Sequence, residues 1–334
     1  MYNITCISDF GYLDSQEFLI LSLHISTVIS TPVYILGTYC ILYKSPKTME
    51  SMKWHIFVFQ LFTMAFDYTM SLLVMPYLFF PHIALIPNGL LRYLGVAPVI
   101  QFYIWVAVAS YCSTSLTFIF EQRFFLICEF PWKSQWSVFR HIWLVIHYVY
   151  GSFWSMPAIL QESEQTADIQ MLFSNIPCLP AHLYNDQIFI AAPESLLNVF
   201  LFCLLIGTES AELAFFLYFM LWDTKKRLTS GRLSPSTYKL QMNFLLALIL
   251  QVTIPVFMLA VPFTGMLFVF LFGYRNQAML NVGVLLVSLH GLVSTVVMLV
   301  VHRPYRLAVG ELLGKRKSRQ MVFVSGSKQP PSYF

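Results

Sequence analysis

The sequence predicts an all-α membrane protein, a seven-transmembrane helix bundle with its N-terminus outside and its C-terminus inside. Of the 334 residues, 57% are hydrophobic and only 11% are charged, whereas about a quarter of a soluble domain is charged. Seven apolar stretches are each long enough to cross a hydrocarbon core of about 30 Å as a helix. The positive charges are concentrated in alternate connections between these stretches, and this sets the orientation.

The predicted spans follow one another with short connections through most of the chain. They cover residues 18–43, 54–80, 94–127, 141–160, 194–222, 238–272 and 277–301. The last span is the clearest, because it holds no charged residue and is followed by Arg303, Pro304 and Arg306, which cannot continue through lipid. Its Asn281, Ser288 and Thr295 recur every seven residues, so this face is expected to point at other helices.

These spans divide the chain into three parts. Residues 1–17 form an outer N-terminus, residues 18–302 the helix domain, and residues 303–334 an inner tail. In the tail, residues 305–313 carry leucines near one face and precede a basic run. This pattern predicts a short amphipathic helix on the inner leaflet, in contact with membrane lipid and followed by a disordered end.

The distribution of Lys and Arg predicts which side is inside. Eighteen of the 20 cations fall in the first, third and fifth connections, with their boundaries, and in the tail. Only Arg92 and Arg275 remain for the other side. Because cytoplasmic loops are enriched in cations, the N-terminus is predicted to be outside. The same sorting accounts for the net positive charge, so no nucleic-acid partner is predicted.

The predicted outer side carries two candidate modifications. Asn3 begins the sequon Asn3-Ile4-Thr5 and is predicted to be glycosylated. Cys6 and Cys178 are the two cysteines on this side. A disulfide between them is predicted, with two unpaired thiols as the alternative.

Several function classes are disfavoured by what the sequence lacks. It has no zinc-protease, P-loop or nucleophile-elbow motif and no His/Cys cluster with metal-ligand spacing. We therefore predict that the protein is not an enzyme and that it has neither a metal site nor a cofactor. A retinal Schiff base needs a lysine within a span, and every lysine here lies in an inner connection or the tail.

The third span carries a polar stripe that ends in charged residues. Its members recur at helical spacing and are Ser110, Ser113, Thr114, Thr117 and Glu121, with Gln122 and Arg123 next. We interpret Glu121 and Arg123 as part of a charged lock between helices that serves as a switch. In the alternative, Arg123 only extends to lipid phosphates. Basic inner loops surround this point, so a partner inside the cell is expected to dock here, with Arg306 contributing.

Other polar residues lie within the predicted spans. Asp67, Glu209, Glu212 and His290 are expected to face the bundle interior, because an unpaired carboxylate in mid-membrane costs at least about 2.5 kcal/mol. Whether they bind a ligand or only make structural contacts is left open. In the sixth span, Pro255 and Pro262 predict a kink, which is either a hinge or a fixed bend.

Short motifs, in order along the chain, carry a family resemblance. They are ILGTYCIL at residues 35–42, PKTM at 46–49, PYLFFP at 76–81, FEQRF at 120–124, PCLP at 177–180, NQ at 276–277, LHG at 289–291 and HRPYR at 302–306. With these the chain resembles the nematode class H serpentine receptors. Gln122 departs from the asparagine more usual there, and the Asp-Arg-Tyr and Asn-Pro-x-x-Tyr motifs of better-known receptors are missing.

The resemblance implies a chemosensory G-protein-coupled receptor in the plasma membrane, in the cilia of sensory neurons. Such a receptor binds a small chemical ligand in the outer half of the bundle and activates a heterotrimeric G protein inside. The alternatives are a ligand-gated channel and a small-solute transporter. The cation distribution opposes a channel of the insect olfactory type, whose N-terminus is inside, and no paired halves indicate a transporter.

Overall fold

The computed structural model describes residues 11–79, 84–160, 169–170, 172–174, 183, 186–190, 196–232, 234–272 and 276–314. Asn3, Cys6 and Cys178 lie outside these residues, as does the end of the tail. The predicted glycosylation, disulfide and disordered C-terminus are therefore still predictions.

Long helices account for most of the described chain and occupy the positions of all seven predicted spans. They are α1 (Gln16–Lys44), α2 (Glu50–Tyr68), α3 (Pro98–Ile127), α4 (Lys133–Phe153), α5 (Leu196–Thr229), α6 (Pro235–Phe272), α7 (Gln277–Ser288) and α8 (His290–Val301), with α9 (Arg303–Leu312) in the tail. Short helical turns lie at Tyr12–Asp14, Lys47–Met49, Leu90–Tyr93 and Met156–Leu160. Helices α7 and α8 together form the last span.

Several of these helices are apolar enough to cross a membrane by length and composition alone. Among the described residues these are α1, α2 with its extension to Leu73, α3, the Cys203–Thr229 part of α5, and the Gln277–Val301 span. Large apolar side chains such as Val28, Val145 and Tyr218 are exposed on the outer surfaces of α1, α4 and α5. A lipid environment would cover them, as the composition predicts.

The second predicted span is too long. Helix α2 ends at Tyr68, a π-helical turn covers Thr69–Leu73, and the chain then becomes a strand at Pro76. The prediction extended the span to residue 80 because an apolar run does not by itself distinguish helix from buried strand. Met75 has a left-handed φ of 49° and Pro76 has no N–H to donate, so the helix cannot continue there.

A small antiparallel sheet covers part of the outer end, which the all-helical prediction did not include. Strand β1 (Pro76–Phe79) pairs with β2 (Ala84–Pro87), and Tyr77 lies opposite Ile86. Strand β3 (Phe189–Ile190) pairs with the other edge of β2. All strand residues are buried. The sheet is therefore part of the core.

Two apolar clusters fill the interior, one toward the end of the bundle that is predicted to be outside and one toward the end that is predicted to be inside. The outer cluster joins the sheet to α1, α3 and α7, and includes Leu19, Tyr77, Phe102, Phe189 and Val284. The inner cluster joins α3 to α1, α5 and α9, and includes Ile41, Phe120, Phe124, Met220 and Tyr305. Between them lies a layer of buried polar side chains.

Candidate functional site

Asp67 is the centre of a buried polar cluster between α1, α2 and α8. Its side chain is only 2% exposed. The Tyr34 hydroxyl on α1 donates a hydrogen bond to its Oδ2 atom, and His290 Nδ1 lies 2.8 Å from Oδ1. The carboxylate thus has one partner on each of two neighbouring helices. This agrees with the expectation that a carboxylate within the membrane needs partners, because leaving it unpaired there is unfavourable.

The cluster lies where the last span is interrupted. Helix α7 ends at Ser288 and α8 begins at His290. The first N–H groups of a helix have no partner within it, and Leu292 N donates to Asp67 Oδ2 at 3.3 Å. A Cβ atom at Gly291 would lie 2.5 Å from the same Oδ2, so the close approach requires glycine. Asp67 therefore acts as an acceptor for the start of α8.

The polar face of the last span points at other elements, as predicted. Thr295 is fully buried and accepts a hydrogen bond from Gln60 Nε2 on α2 at 2.9 Å. Asn281 is also fully buried, and its Nδ2 atom donates to the main-chain oxygen of Leu13 at 2.8 Å. This face joins α7 and α8 to the N-terminal segment and to α2.

Glu209 and Glu212 of the fifth span both have partners on neighbouring helices. Glu209 accepts hydrogen bonds from Ser113 and from Thr114, the latter at 2.8 Å. Glu212 accepts from Trp143 Nε1 at 3.0 Å, and His147 Nε2 lies 3.1 Å from it. The polar stripe of the third span thus meets α5 at Glu209, while Glu212 joins α5 to α4.

Glu121 forms an ion pair between helices, but with a different arginine from the one beside it in sequence. Its carboxylate lies 2.6 Å from Arg140 Nη2 on α4 and accepts from Trp136 Nε1 at 2.7 Å. Arg140 also donates to Gln122. Residues two apart on a helix point in different directions, so Glu121 and Arg123 do not face the same neighbour.

The location of Arg140 also corrects the fourth span. We placed its start at residue 141, but α4 begins at Lys133. Arg140 is therefore inside a helix, only 8% exposed, with its charge neutralised by a carboxylate from α3. The prediction assigned it to an inner loop because a cation usually ends an apolar run.

With this geometry established, we compared the chain with known proteins. Residues 14–315 match the family model described as Serpentine type 7TM GPCR chemoreceptor Srh. The chain belongs to this family. The Srh assignment confirms the resemblance inferred from the short motifs.

Two individual proteins illustrate the similarity. The chain is 24% identical over 331 residues to Serpentine receptor class H-72 of Caenorhabditis elegans, covering 96% of this chain and 93% of that one. In structure it is similar to squid rhodopsin, with a TM-score of 0.54 and 11% identity, over 92% of this chain and 87% of that one. The second comparison shows that the Srh chain has a rhodopsin-like seven-helix fold.

At the inner end of this Srh protein, Arg123 lies near the start of the tail helix. Arg123 is half-buried, and His302, just before α9, is buried. Burial, with a smaller contribution from the charge of Arg123, lowers the pKa of His302 to about 4. Arg306 Nη1 donates to Val300 O at 2.9 Å, so it satisfies a carbonyl at the end of α8. The proposed switch roles of Arg123 and Arg306 are still predictions.

An inner cavity lies where α5 extends beyond the end of α3. Its volume is about 250 Å3, and it is lined by Glu129, Asp223, Lys226, Arg227, Ser230 and Arg232. Arg227 pairs with Asp223 at 3.0 Å and donates to Ile127 O at 2.6 Å. These contacts tie the inner ends of α3 and α5 together.

The two prolines of the sixth span lie inside one helical element. Helix α6 runs without interruption from Pro235 to Phe272, and Pro262 is buried. The hinge assigned to Pro255 and Pro262 remains a prediction.

Sequence reasoning missed the partners on α4, although a signal for them exists. Trp136, Arg140, Trp143 and His147 recur at i, i+4, i+7 and i+11, which places them on one face of a helix. All four contact Glu121 or Glu212, and about two turns further on Trp154 Nε1 donates to Ser110 at 2.9 Å. If the helix is taken to start at Lys133, this stripe predicts which face of α4 points into the bundle.

Proposed function

We propose that this Srh protein is a chemosensory G-protein-coupled receptor that binds a small chemical ligand in the outer half of the bundle. Binding would activate a heterotrimeric G protein inside. The observation that carries this proposal is the buried polar cluster of Asp67 and His290 at the interrupted last span. A helix break held by such a buried polar contact can have two discrete arrangements, and a receptor needs such an element.

The contacts around the break suggest how a ligand could bias it. Val287 and Phe66 belong to the outer apolar cluster. The carbonyl oxygen of Val287 lies 3.0 Å from His290 Nδ1, and the ring of Phe66 packs edge-on against His290. A ligand that repacks this cluster would therefore act directly on the partner of Asp67. Allosteric coupling of this kind typically amounts to about 1–3 kcal/mol.

The inner side offers a matching surface for the G protein. Lys226, Arg227 and Arg232 line the inner cavity beside the end of α3, and Lys225 is exposed on α5. Arg123 lies on α3 about one turn before its end at Ile127. We propose that the G protein docks here and that Arg123 takes part in the switch. The protein would act in the plasma membrane, in sensory cilia.

The test is a functional screen in cultured cells that express the chain with an N-terminal tag. A defined panel of small volatile and water-soluble organic compounds is applied, and G-protein nucleotide exchange is measured. Exchange evoked by at least one compound is the expected result. Ionic current or solute uptake without any nucleotide exchange would contradict the proposal and favour the channel or the transporter.

A pair of variants tests the inner half of the proposal. Arg123→Ala should abolish compound-dependent exchange, while surface abundance and apparent affinity stay within a few fold. Arg303→Ala removes an exposed cation of the same side and serves as the control, for which normal exchange is expected. If Arg123→Ala and wild type signal equally per receptor at the cell surface, Arg123 has no role in the switch and only anchors the helix end in the membrane.

A further inference from the structure

The inner cavity at the end of α5 is a candidate site for an anionic ligand. In the proposed function a G protein contacts the surface around this cavity, and the cavity itself has no assigned occupant. Its volume is about 250 Å3, and its lining holds three cations, one hydroxyl and two carboxylates. What the cavity can bind depends on which of these charges are already paired within the protein.

One ion pair in the cavity wall is internal to the protein. Arg227 Nε lies 3.0 Å from Asp223 Oδ2, and Asp223 is only 9% exposed. This pair therefore forms part of the wall and neutralises one cation and one carboxylate. Lys226 and Arg232 are exposed, and among the described residues neither takes part in a salt bridge. These two cations are accessible to a ligand, with Glu129 as the remaining carboxylate of the lining.

The end of α5 brings the two accessible cations to the same cavity. Gly231 has a left-handed φ of 69°, and Arg232 N donates to Arg227 O at 3.0 Å. A chain commonly turns back in this way at the end of a helix. As a result Arg232 lines the cavity together with Lys226, although the two are six residues apart, and the exposed hydroxyl of Ser230 lies between them in sequence.

An aromatic residue indicates the level of the cavity relative to the bilayer. Trp222 is one turn before Lys226 on α5 and is 48% exposed. The Nζ atom of Lys226 lies 4.8 Å from the centre of its ring. Trp is enriched at the boundary between hydrocarbon and water, so Lys226 lies near the height of the lipid phosphates. The predicted orientation assigns this boundary to the inner leaflet.

The charges of the lining favour a phosphate monoester over a singly charged group. A monoester carries a charge of about −1.5 to −2 near pH 7 and has three acceptor oxygens. In the same position it is attracted more strongly than a carboxylate or a phosphate diester, because the Coulomb energy is proportional to the charge. At roughly 30 Å3 for a water-sized group, the cavity holds about eight such groups. This is enough for a phosphate and part of the ring that carries it.

We propose that this cavity binds the head group of a phosphoinositide, a lipid whose inositol ring carries a phosphate monoester. Lys226 and Arg232 donate to the oxygens of the monoester, and the rest of the lipid leaves the cavity beside Trp222 towards the bilayer. Basic pockets at the inner ends of membrane helices are suited to such head groups. Lipid binding is independent of the proposed signalling and can be measured without a G protein.

The experiment measures lipid binding to the purified full chain by native mass spectrometry, with short-chain lipids added to the detergent solution. A phosphoinositide bisphosphate should bind at least about tenfold more tightly than phosphatidylserine or unphosphorylated phosphatidylinositol. Soluble inositol trisphosphate should bind more weakly than the lipid, because it lacks acyl chains that contact the helix surface. Equal affinities for the bisphosphate and phosphatidylserine would overturn the proposal, as would equal affinities for the bisphosphate and the soluble trisphosphate.

Two double variants locate the head group. Lys226→Gln combined with Arg232→Gln removes both accessible cations, and binding of the bisphosphate should weaken about tenfold or more. The matched control is Lys47→Gln combined with Arg303→Gln. It removes the same charge from exposed positions on the same predicted side, and its affinity should stay within about twofold of wild type because distant exposed charges are screened. Equal losses in the two double variants would indicate unspecific attraction and overturn the site.

Glu129→Gln provides a test in the opposite direction. Glu129 is exposed, so its replacement should not disturb the fold. The variant removes the carboxylate that faces the ligand, and binding of the bisphosphate should tighten by about threefold because a like charge is lost. Unchanged or weaker binding would show that the head group does not enter the cavity and would also overturn the proposal.

Discussion

The close approach of α8 to α2 makes a quantitative prediction at Gly291. In Gly291→Ala the new Cβ atom would lie 2.5 Å from Asp67 Oδ2 and 2.6 Å from Thr63 Cγ2. Neither atom can move away freely, because Asp67 is bonded to two other helices. Overpacking of a filled core typically costs about 1–3 kcal/mol.

The matched control is Gly207→Ala on α5. Gly207 is also in a helix, and a Cβ atom there meets nothing within 4 Å. Replacing glycine by alanine in a helix gains up to about 1 kcal/mol. Gly291 also lies in a helix, so this gain is common to both variants. The two variants should therefore differ by the overpacking cost alone, about 1–3 kcal/mol in unfolding free energy, with Gly291→Ala the less stable.

The assay is thermal unfolding of the purified receptor in detergent. At about 2 °C per kcal/mol for a chain of this size, the apparent Tm values should differ by several degrees. Adding Thr63→Ser removes the Cγ2 atom and should restore part of the loss, which a double-mutant cycle measures. Equal Tm values for Gly291→Ala and Gly207→Ala would refute the predicted contact.

Three further predictions concern other parts of the chain. Arg140→Ala leaves Glu121 buried without its cation and should lower the unfolding free energy by about 3–5 kcal/mol. Replacement of the exposed Arg232 by alanine should lower it little. Equal losses of Tm in the two variants would contradict a stabilising ion pair between Glu121 and Arg140. His302 has a folded pKa of about 4, below its usual 6.5, so the unfolded chain binds more protons between these values. The Tm of wild type should therefore fall as the pH is lowered from 6.5 to about 4, and it should fall more than the Tm of His302→Gln. Asn3→Gln should lose one glycan, seen as faster gel migration; unchanged migration would count against an outer N-terminus.

The sequence was sufficient to predict the approximate positions of the spans, though not all of their ends, and that several of their polar residues face inward. The cost of a carboxylate in lipid correctly placed Asp67 and Glu209 in the interior, where both are almost completely buried. The seven-residue repeat likewise predicted that Asn281 and Thr295 face other helices. These are single-helix properties, which depend only on periodicity and transfer energy.

Properties that depend on two elements could not be predicted in the same way. The partner of Glu121 is 19 residues away, on a helix whose start was misplaced. Tyr34 lies in an apolar stretch without any spacing that would connect it to Asp67. The strand at Pro76–Phe79 has the same apolar composition as a span. In each case the structure depends on contacts with a second element, and a single sequence does not show which elements are in contact.

The polar contacts of the described residues fall into two groups of helices. Helices α3, α4 and α5 are tied together by the three glutamates, while α1, α2 and α8 are tied together at Asp67. Among the described residues, the polar contact between α2 and α3 involves the thiol of Cys112, 3.5 Å from Thr63 Oγ1, and a thiol is a weak hydrogen-bonding group. Among the described elements, α2 and α3 nevertheless form the most extensively packed pair. Relative motion along this boundary would therefore be a small shear that keeps the apolar surfaces in contact, and not a separation of the two groups.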